Sequence, residues 1–298
     1  MPTELLGDPE FGGENRTRLI TDNSLLMTTH TKNPLRRWLV LSLLAVFCFF
    51  VYGFFIEPRW VEVTHWSRQV GLAGTTIKIA QLSDLHISEI GPTEQTTLKH
   101  LNTIRPQIIL LSGDVIDRPD SLSALNNFLS QLPPSKKFAI LGNWEYWSDV
   151  DLTMLAALYV ENEVTLLVNK CVSVSIQGAK LSIAGFDDYT AGQPDVYRTF
   201  RDCGKGEPII VAEHSPGLFE EPPSPEMRKL VFSMAGHTHG GQLAIGNKAI
   251  FTPRGSGRFV AGWYSTQWGD LYVSKGVGTS IIPMRIGARP EIAVFEIY

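Results

Sequence analysis

The 298-residue sequence predicts an α/β fold: a two-sheet sandwich flanked by helices and preceded by one N-terminal transmembrane helix. Three observations carry this expectation. Residues 38–56 form an uncharged apolar run. From residue 75 onward, short β-branched runs alternate with helical segments three times over, the pattern of parallel strands joined by helical crossovers. The second half is then richer in strands, with a hairpin and further apolar runs.

The apolar run WLVLSLLAVFCFFVYGFFI, Trp38 to Ile56, is interrupted only by Ser42 and Gly53. A run of about 18 or more apolar residues spans the ~30 Å hydrocarbon core as a helix. A buried core helix normally keeps a polar stripe, and a cleaved signal peptide normally ends at a small-residue site; neither feature is present. Trp60 and Trp66 follow, where amphipathic aromatics settle at the membrane interface. Lys32, Arg36 and Arg37 precede the run, and Arg59 and Arg68 follow more sparsely. Positive charge stays inside, so the N-terminus is expected in the cytoplasm and residues 57–298 beyond the inner (plasma) membrane, on its periplasmic or outer side. The Arg36-Arg37 pair also fits a twin-arginine export signal. Residues 1–37 read as a cytoplasmic disordered tail, and Met27 is an alternative start.

Beyond the membrane segment, TIKIAQLSD (75–84) reads as a strand entering a turn, followed by a helix over 93–104. QIILLSGD (107–114) repeats this with a helix from about Ser121, and KFAILGN (137–143) does so with a helix over 150–161. CVSVSIQGAKLSIAGF reads as a hairpin about Gln177-Gly178, and IIVAEHSP, LVFSMAGH and EIAVFEIY as strands. Residues 57–298 carry no low-complexity linker or repeat, so one domain is expected.

Composition is 44% hydrophobic and 19% charged with net charge −4, which provides no basic footprint for nucleic acid. Cys48, Cys171 and Cys203 lack CxxC spacing and read as small hydrophobes, with neither a disulfide framework nor a thiolate metal site expected. Oligomeric state is left open.

Each strand expectation ends in a polar cluster. Asp84-Leu85-His86 sets a carboxylate and an imidazole at i and i+2, which in extended backbone point to one side. Gly113-Asp114-Val115-Ile116-Asp117 and Gly142-Asn143-Trp144-Glu145 follow the next two strands, and His214 ends a fourth. Gly236-His237-Thr238-His239-Gly240-Gly241-Gln242 places two imidazoles among glycines, and histidine is the commonest transition-metal side-chain ligand. Two imidazoles amid glycines are hard to explain as core packing, whereas singly the first four clusters read as well or better as caps, turns or structural histidines. Five in succession at strand ends do not.

Taken in order, D-x-H, G-D-x-x-D, G-N, H and G-H-x-H resemble the blocks of the calcineurin-like metallophosphoesterase family, over roughly residues 75–298. GHTHGGQ and GVGTSIIPMRIGARPEI are similar to its bacterial membrane-associated branch, including enzymes of the UDP-2,3-diacylglucosamine pyrophosphatase type. The resemblance implies a metallophosphoesterase-type sandwich and two divalent ions, manganese, iron or zinc. It implies that Asp84, His86 and His239 hold one ion, that Asn143, His214 and His237 hold the other, and that Asp114 bridges them. Asp114, Asn143 and His214 then stand at the reacting centre, with Asp117 and Glu145 orienting the ligands.

The family usually has His where this chain has Trp144. An indole cannot protonate a leaving group, so the expected substrate has a leaving group stable as an anion: a phosphodiester or pyrophosphate, in a phosphate-ester or nucleotide-lipid reached from the bilayer and exemplified by UDP-2,3-diacylglucosamine of lipid A synthesis. Trp144 is expected to contact that substrate, with Arg254 and Arg258, and also Arg285, placed to clamp a phosphate. The alternatives are a metal-binding membrane protein of the same fold made inactive by Trp144, or a processed soluble phosphatase.

Overall fold

In the computed structural model, the described residues are 34–298, apart from 73, 224–229 and 247. The tail before residue 34, including Lys32 and Met27, lies outside them. The chain divides into two units, Met1–Leu44 and Ala45–Tyr298. Helix α1 (Pro34–Val51) begins four residues before the predicted run and continues through a π-helical turn, Tyr52–Ile56, into a 3-10 turn, Glu57–Arg59. The apolar stretch Leu35–Arg59 has a mean hydropathy of 2.7 over its best window, with only 6% of that window buried. At 1.5 Å per residue its 25 residues reach about 37 Å, long enough to cross a bilayer.

The rest is a sandwich of two six-stranded sheets. The first contains β1 (Glu62–Arg68), β2 (Ile77–Leu82), β3 (Ile108–Ser112), β4 (Lys136–Ile140), β5 (Val164–Leu166) and β14 (Glu291–Ile297), in the order β1-β14-β2-β3-β4-β5. Strands β2 to β5 are mutually parallel, as the alternation predicted. Helices α2 (Pro92–Ile104), α3 (Leu122–Ser130) and α5 (Leu152–Glu161) are the crossovers, and the short α4 (Asn143–Trp147) precedes α5. The second sheet contains β6 (Lys170–Ile176), β7 (Ala179–Gly185), β8 (Ile209–Ala212), β9 (Leu230–Ala235), β12 (Gly262–Thr266) and β13 (Gly269–Val273), in the order β12-β13-β9-β8-β7-β6. Helix α6 (Val196–Arg201), 3-10 turns at Pro119–Ser121, Pro216–Glu220 and His239–Gly241, and a two-residue pair, β10 (Ala244–Ile245) with β11 (Lys248–Ala249), complete the described elements.

Burial explains the layering. Strand β3, IILLS, is buried throughout because it is covered on both faces. One face meets the second sheet, where Ile79, Leu110, Phe138, Phe232 and Phe295 interdigitate. The other meets the helices through Leu101, Phe128, Leu155 and Tyr159. The predicted hairpin turns at Gln177 and Gly178, both at positive φ, as a primed two-residue turn demands.

Two expectations are corrected. Trp66 does not sit at a membrane interface: it lies in β1 and packs against Trp263 and Tyr272, with ring centroids 5.9 and 5.5 Å apart. Cys171 and Cys203 are not free hydrophobes but a disulfide tying β6 to the end of α6. A separation of 32 residues gave no local spacing signal; tertiary packing alone brings them together. Cys48 is a free, exposed thiol on α1.

Candidate metal centre

Asp84, Asp114, Asn143, His214 and the His237–His239 pair all follow the carboxyl ends of parallel-paired strands, β2, β3, β4, β8 and β9. In open α/β sheets such ends form the functional crevice. Beneath the site, Gln81 holds the two sheets together, its Nε2 donating to Ser112 Oγ and Ala235 O at 2.9 Å.

Six of the predicted residues form two buried groups: Asp84 with His86 and His239, and Asp114 with His214 and His237. Within each group the potential ligand atoms lie within 4.8 Å of one another. Bonds of ~2.1 Å to one ion place neighbouring ligand atoms about 3.0–3.4 Å apart. His86 Nε2 and His239 Nε2 are separated by 3.2 Å, His214 Nε2 and Asp114 Oδ2 by 3.1 Å, and His239 Nε2 and Asp84 Oδ1 by 3.5 Å. Asp114 Oδ2 also stands 3.8 Å from His86 Nε2, so one oxygen faces both groups. Asn143, the seventh residue, is buried on the first turn of α4, and its Oδ1 has no hydrogen-bond partner among the described residues. A buried amide oxygen left unpaired costs free energy unless something else satisfies it. Converging nitrogens, a shared carboxylate and an orphaned oxygen fit two divalent ions.

The loops that aim these groups are strained. Asp84, His86, Asp114, His237 and His239 all have φ between 44° and 69°, in the left-handed region that side chains avoid. The extended D-x-H backbone expected from the sequence is therefore replaced by two left-handed residues around Leu85. Backbone bonds hold this shape, His86 N–H donating to Asp114 O (3.0 Å) and Gly278 N–H to Asp84 O (2.7 Å). Gly113 has φ +88°, and a Cβ there would lie 2.5 Å from His214 Nδ1, so glycine is required beside the bridging aspartate.

A second layer fixes the orientation of each group. Trp144 N–H donates to Asp114 Oδ1 at 2.8 Å, leaving Oδ2 for the site. His214 Nδ1 pairs with Ser112 O and His237 Nε2 with Arg254 O, both at 2.8 Å, which leaves one ring nitrogen of each free to ligate. Asp117 Oδ2 lies 3.6 Å from His86 Nδ1. Glu145 reaches back to accept from Gly142, Asp114 and Val115 N–H at 2.7, 3.0 and 2.6 Å. Burial, then the Asp114 charge, push its carboxyl up to about 7 against those bonds. Burial also pushes Asp114 up, but the charge and hydrogen bond of His214, with His86 and His237, outweigh it and bring Asp114 to about 2. Burial lowers His237 to about 4, with His214 adding to the effect.

Arg285 is not a solvent-facing clamp: it is fully buried and donates to the carbonyls of Gly278, Ala288, Lys275 and Gly276, its Nη2 lying 3.4 Å from His239 Nδ1. Arg254 contributes its carbonyl to His237 while its side chain is exposed. Arg258 donates to Ser265 O (3.1 Å), near Glu220 (3.9 Å), and stacks on Phe259, none of them site residues. Trp144 stands edge-on to His86 at 6.1 Å and to the exposed Trp147 at 6.2 Å, an aromatic wall on the site. Sequence reasoning passed over Asp187 and Asp188 at the end of β7. Asp188 accepts from Ser215 Oγ (2.6 Å), next to His214, and Asp187 accepts from Tyr146 O–H (2.5 Å). The signal was the same as elsewhere, carboxylates directly after an apolar strand.

The chain is similar to several known proteins. A metallophosphoesterase of Bacillus subtilis, YkuE, is 29% identical over 257 residues, covering 83% of this chain and 88% of that protein. A Bos taurus transmembrane protein with a metallophosphoesterase domain is 30% identical over 73% of this chain and 52% of its own length. Among solved structures, the Haemophilus influenzae NAD nucleotidase aligns with a TM-score of 0.43 at 14% identity, over 68% of this chain and 46% of its own. Residues 77–241 match the model of the calcineurin-like phosphoesterases, and they hold all seven predicted ligand positions: the chain belongs to that family and is a phosphoesterase, an enzyme of a class that works with divalent metals.

Proposed function

We propose that this phosphoesterase hydrolyses phosphodiester or pyrophosphate bonds in an amphiphilic, lipid-linked substrate, anchored by residues 38–56 with its catalytic domain, 57–298, outside the inner membrane. Asp84, His86 and His239 would hold one ion of manganese, iron or zinc, and Asn143, His214 and His237 the other, with Asp114 facing both groups. Ions held there would supply Lewis acidity toward water and the phosphoryl oxygens. The chain's own part is orientation. Trp144 N–H turns Asp114 Oδ2 inward, and Ser112 O fixes the tautomer of His214.

The observation that carries the reading is the side chain of Trp144. It occupies the wall beside His86, where an acid is usual in the family, and supplies no proton to a departing oxygen. A phosphate or phosphodiester leaving group is stable unprotonated, whereas an alkoxide is not. The Cys171–Cys203 disulfide supports the outward orientation, because structural disulfides persist away from the reducing cytosol.

The test is an assay of the full chain with manganese against a chromogenic diester, a monoester and UDP-2,3-diacylglucosamine, alongside Asp114→Asn and Trp144→His. Diester or pyrophosphate turnover should exceed monoester turnover, Asp114→Asn should abolish it, and Trp144→His should raise monoester turnover selectively. Equal turnover of monoester and diester by the native chain would sink the leaving-group argument.

A further inference from the structure

We propose that an apolar rim beside the metal centre, formed by Ile245, Ile250, Phe251, Ile281 and Ile282, inserts into the phospholipid bilayer that α1 spans, so that the site opens at the lipid surface. This rests on the reading of residues 38–56 as a membrane span and names where the substrate is met.

The rim is tied to the metal centre. Ile281, Ile282 and Pro283 line a cleft of about 200 Å³ together with His86, Asp117 and Arg118. Ile281 is 87% exposed and has φ +64°, an outlier for a β-branched residue. Gln242, the last residue of GHTHGGQ, holds it there. Its Nε2 donates to Ser280 O (3.1 Å) and Ile282 O (2.8 Å), and its Oε1 accepts from Ser280 N–H (2.9 Å). Gln242 O accepts from Ile286 N–H (2.9 Å), and Ile286 O from Ala244 N–H (2.7 Å), which joins the β10–β11 hairpin to the same loop. That hairpin and the residues after it expose Ile245 (77%) and Phe251 (70%). A backbone held in strain by three hydrogen bonds in order to present isoleucine to water points to a partner that is not water.

The rim is also tied to the end of the apolar helix. Arg285 N–H donates to Gly53 O at 3.0 Å, and a Cβ at Gly53 would lie 2.6 Å from Met284 Cε and 2.8 Å from Ile286 Cδ1. The glycine that interrupts the apolar run is the point where the loop docks. Gly53 lies three residues before Ile56, within one helical turn of the end of the run. The loop carrying Ile281 therefore meets the helix at the boundary between acyl chains and headgroups, the level that amphipathic elements occupy. Trp60, 51% exposed just beyond the helix, marks the same boundary.

The test places a single cysteine in the full-length chain, with Cys48→Ser removing the free thiol, at Ile281, Phe251, Ile245, Phe47 or Val160. Each carries an environment-sensitive fluorophore, in vesicles of phosphatidylethanolamine and phosphatidylglycerol with brominated acyl chains. Phe47 is within α1, and Val160, 76% exposed, is on α5 near β5, at the opposite edge of the first sheet from β1. The expected result is blue-shifted emission and several-fold stronger bromolipid quenching at Ile281, Phe251 and Ile245 than at Val160, with Phe47 quenched most. Rim probes as weakly quenched as Val160 would overturn the proposal. So would blue-shifted but unquenched probes, which would mean that protein covers the rim. An unquenched Phe47 would remove the membrane span and this proposal with it. None of these readouts depends on turnover, so an inactive enzyme would count against the proposed chemistry alone.

Discussion

The metal centre and the apolar rim sit on neighbouring loops yet are built by opposite means. At the centre, polar side chains are buried and aimed by fixed partners, with Asn143 Oδ1 and His214 Nε2 left open: Asp84 accepts from His237 N–H at 2.9 Å, and His214 Nδ1 is held by Ser112 O. At the rim, apolar side chains are exposed and the polar backbone behind them is satisfied by Gln242. Chemistry is specified by residue type and is visible as a list of letters. Placement at a surface is specified by what lies next to what, which no local pattern reports.

The strongest way to break the centre is to remove the shared oxygen. Asp114→Asn keeps the shape but weakens both ion sites at once; a loss of several kcal/mol of Lewis-acid stabilisation corresponds to roughly 10³-fold or more in kcat/KM. Retention of more than a tenth of the activity would argue against a bridge at Asp114. Next in size is the disulfide, far from both regions in role. Cys171→Ser should cost about 3–4 kcal/mol of stability from the chain entropy of a 32-residue separation, with metal content unchanged. Thermal unfolding with and without reductant measures it, and an unchanged Tm would contradict it.

Asp117→Ala should lower metal affinity by about 10–100-fold without unfolding the chain, since Asp117 lies 3.6 Å from His86 Nδ1 and outside both ligand groups; a chelator competition titration reads this directly. A pH series sharpens the same comparison. Burial pushes the His214 imidazolium down, but Asp114, Asp84 and Asp188 outweigh it and hold the ring well above its ordinary pKa. A ligating ring must be neutral, so metal binding releases this proton, and affinity should rise by up to about tenfold per pH unit until pH passes the raised pKa. The metal-free fold runs the other way. Its stabilisation by protonated His214 is complete below the unfolded pKa of about 6.5 and is lost as pH rises through the folded value. The Tm gap between loaded and metal-free protein should therefore widen with pH, and a constant gap would refute the assignment. The smallest effect is expected at Arg258→Ala, whose exposed ion pair with Glu220 stabilises by at most about 1 kcal/mol. A large loss of activity there would restore the phosphate-clamp reading that its position disfavours.

The alternating strands, the hairpin at Gln177-Gly178 and the polar residues at strand ends were legible because each depends on local periodicity or turn chemistry. The left-handed backbone at Asp84 and His86 was not, since residue identity there points to extended geometry and only the strand-end hydrogen bonds override it. The placement of Arg285 was not legible for a related reason. An arginine among glycines looks solvated, but here those glycines turn their carbonyls onto it. Cys171 with Cys203, and Gly53 with Met284, are pairings across long stretches of chain that only the folded packing creates.

The proposed chemistry depends on two ions sharing Asp114. Crystals of the full chain grown with manganese and measured at its absorption edge should show two anomalous peaks roughly 3.5–4 Å apart. One should lie among Asp84, His86 and His239 and the other among Asn143, His214 and His237, with Asp114 between them. A single peak, or two peaks that do not share Asp114, would contradict it.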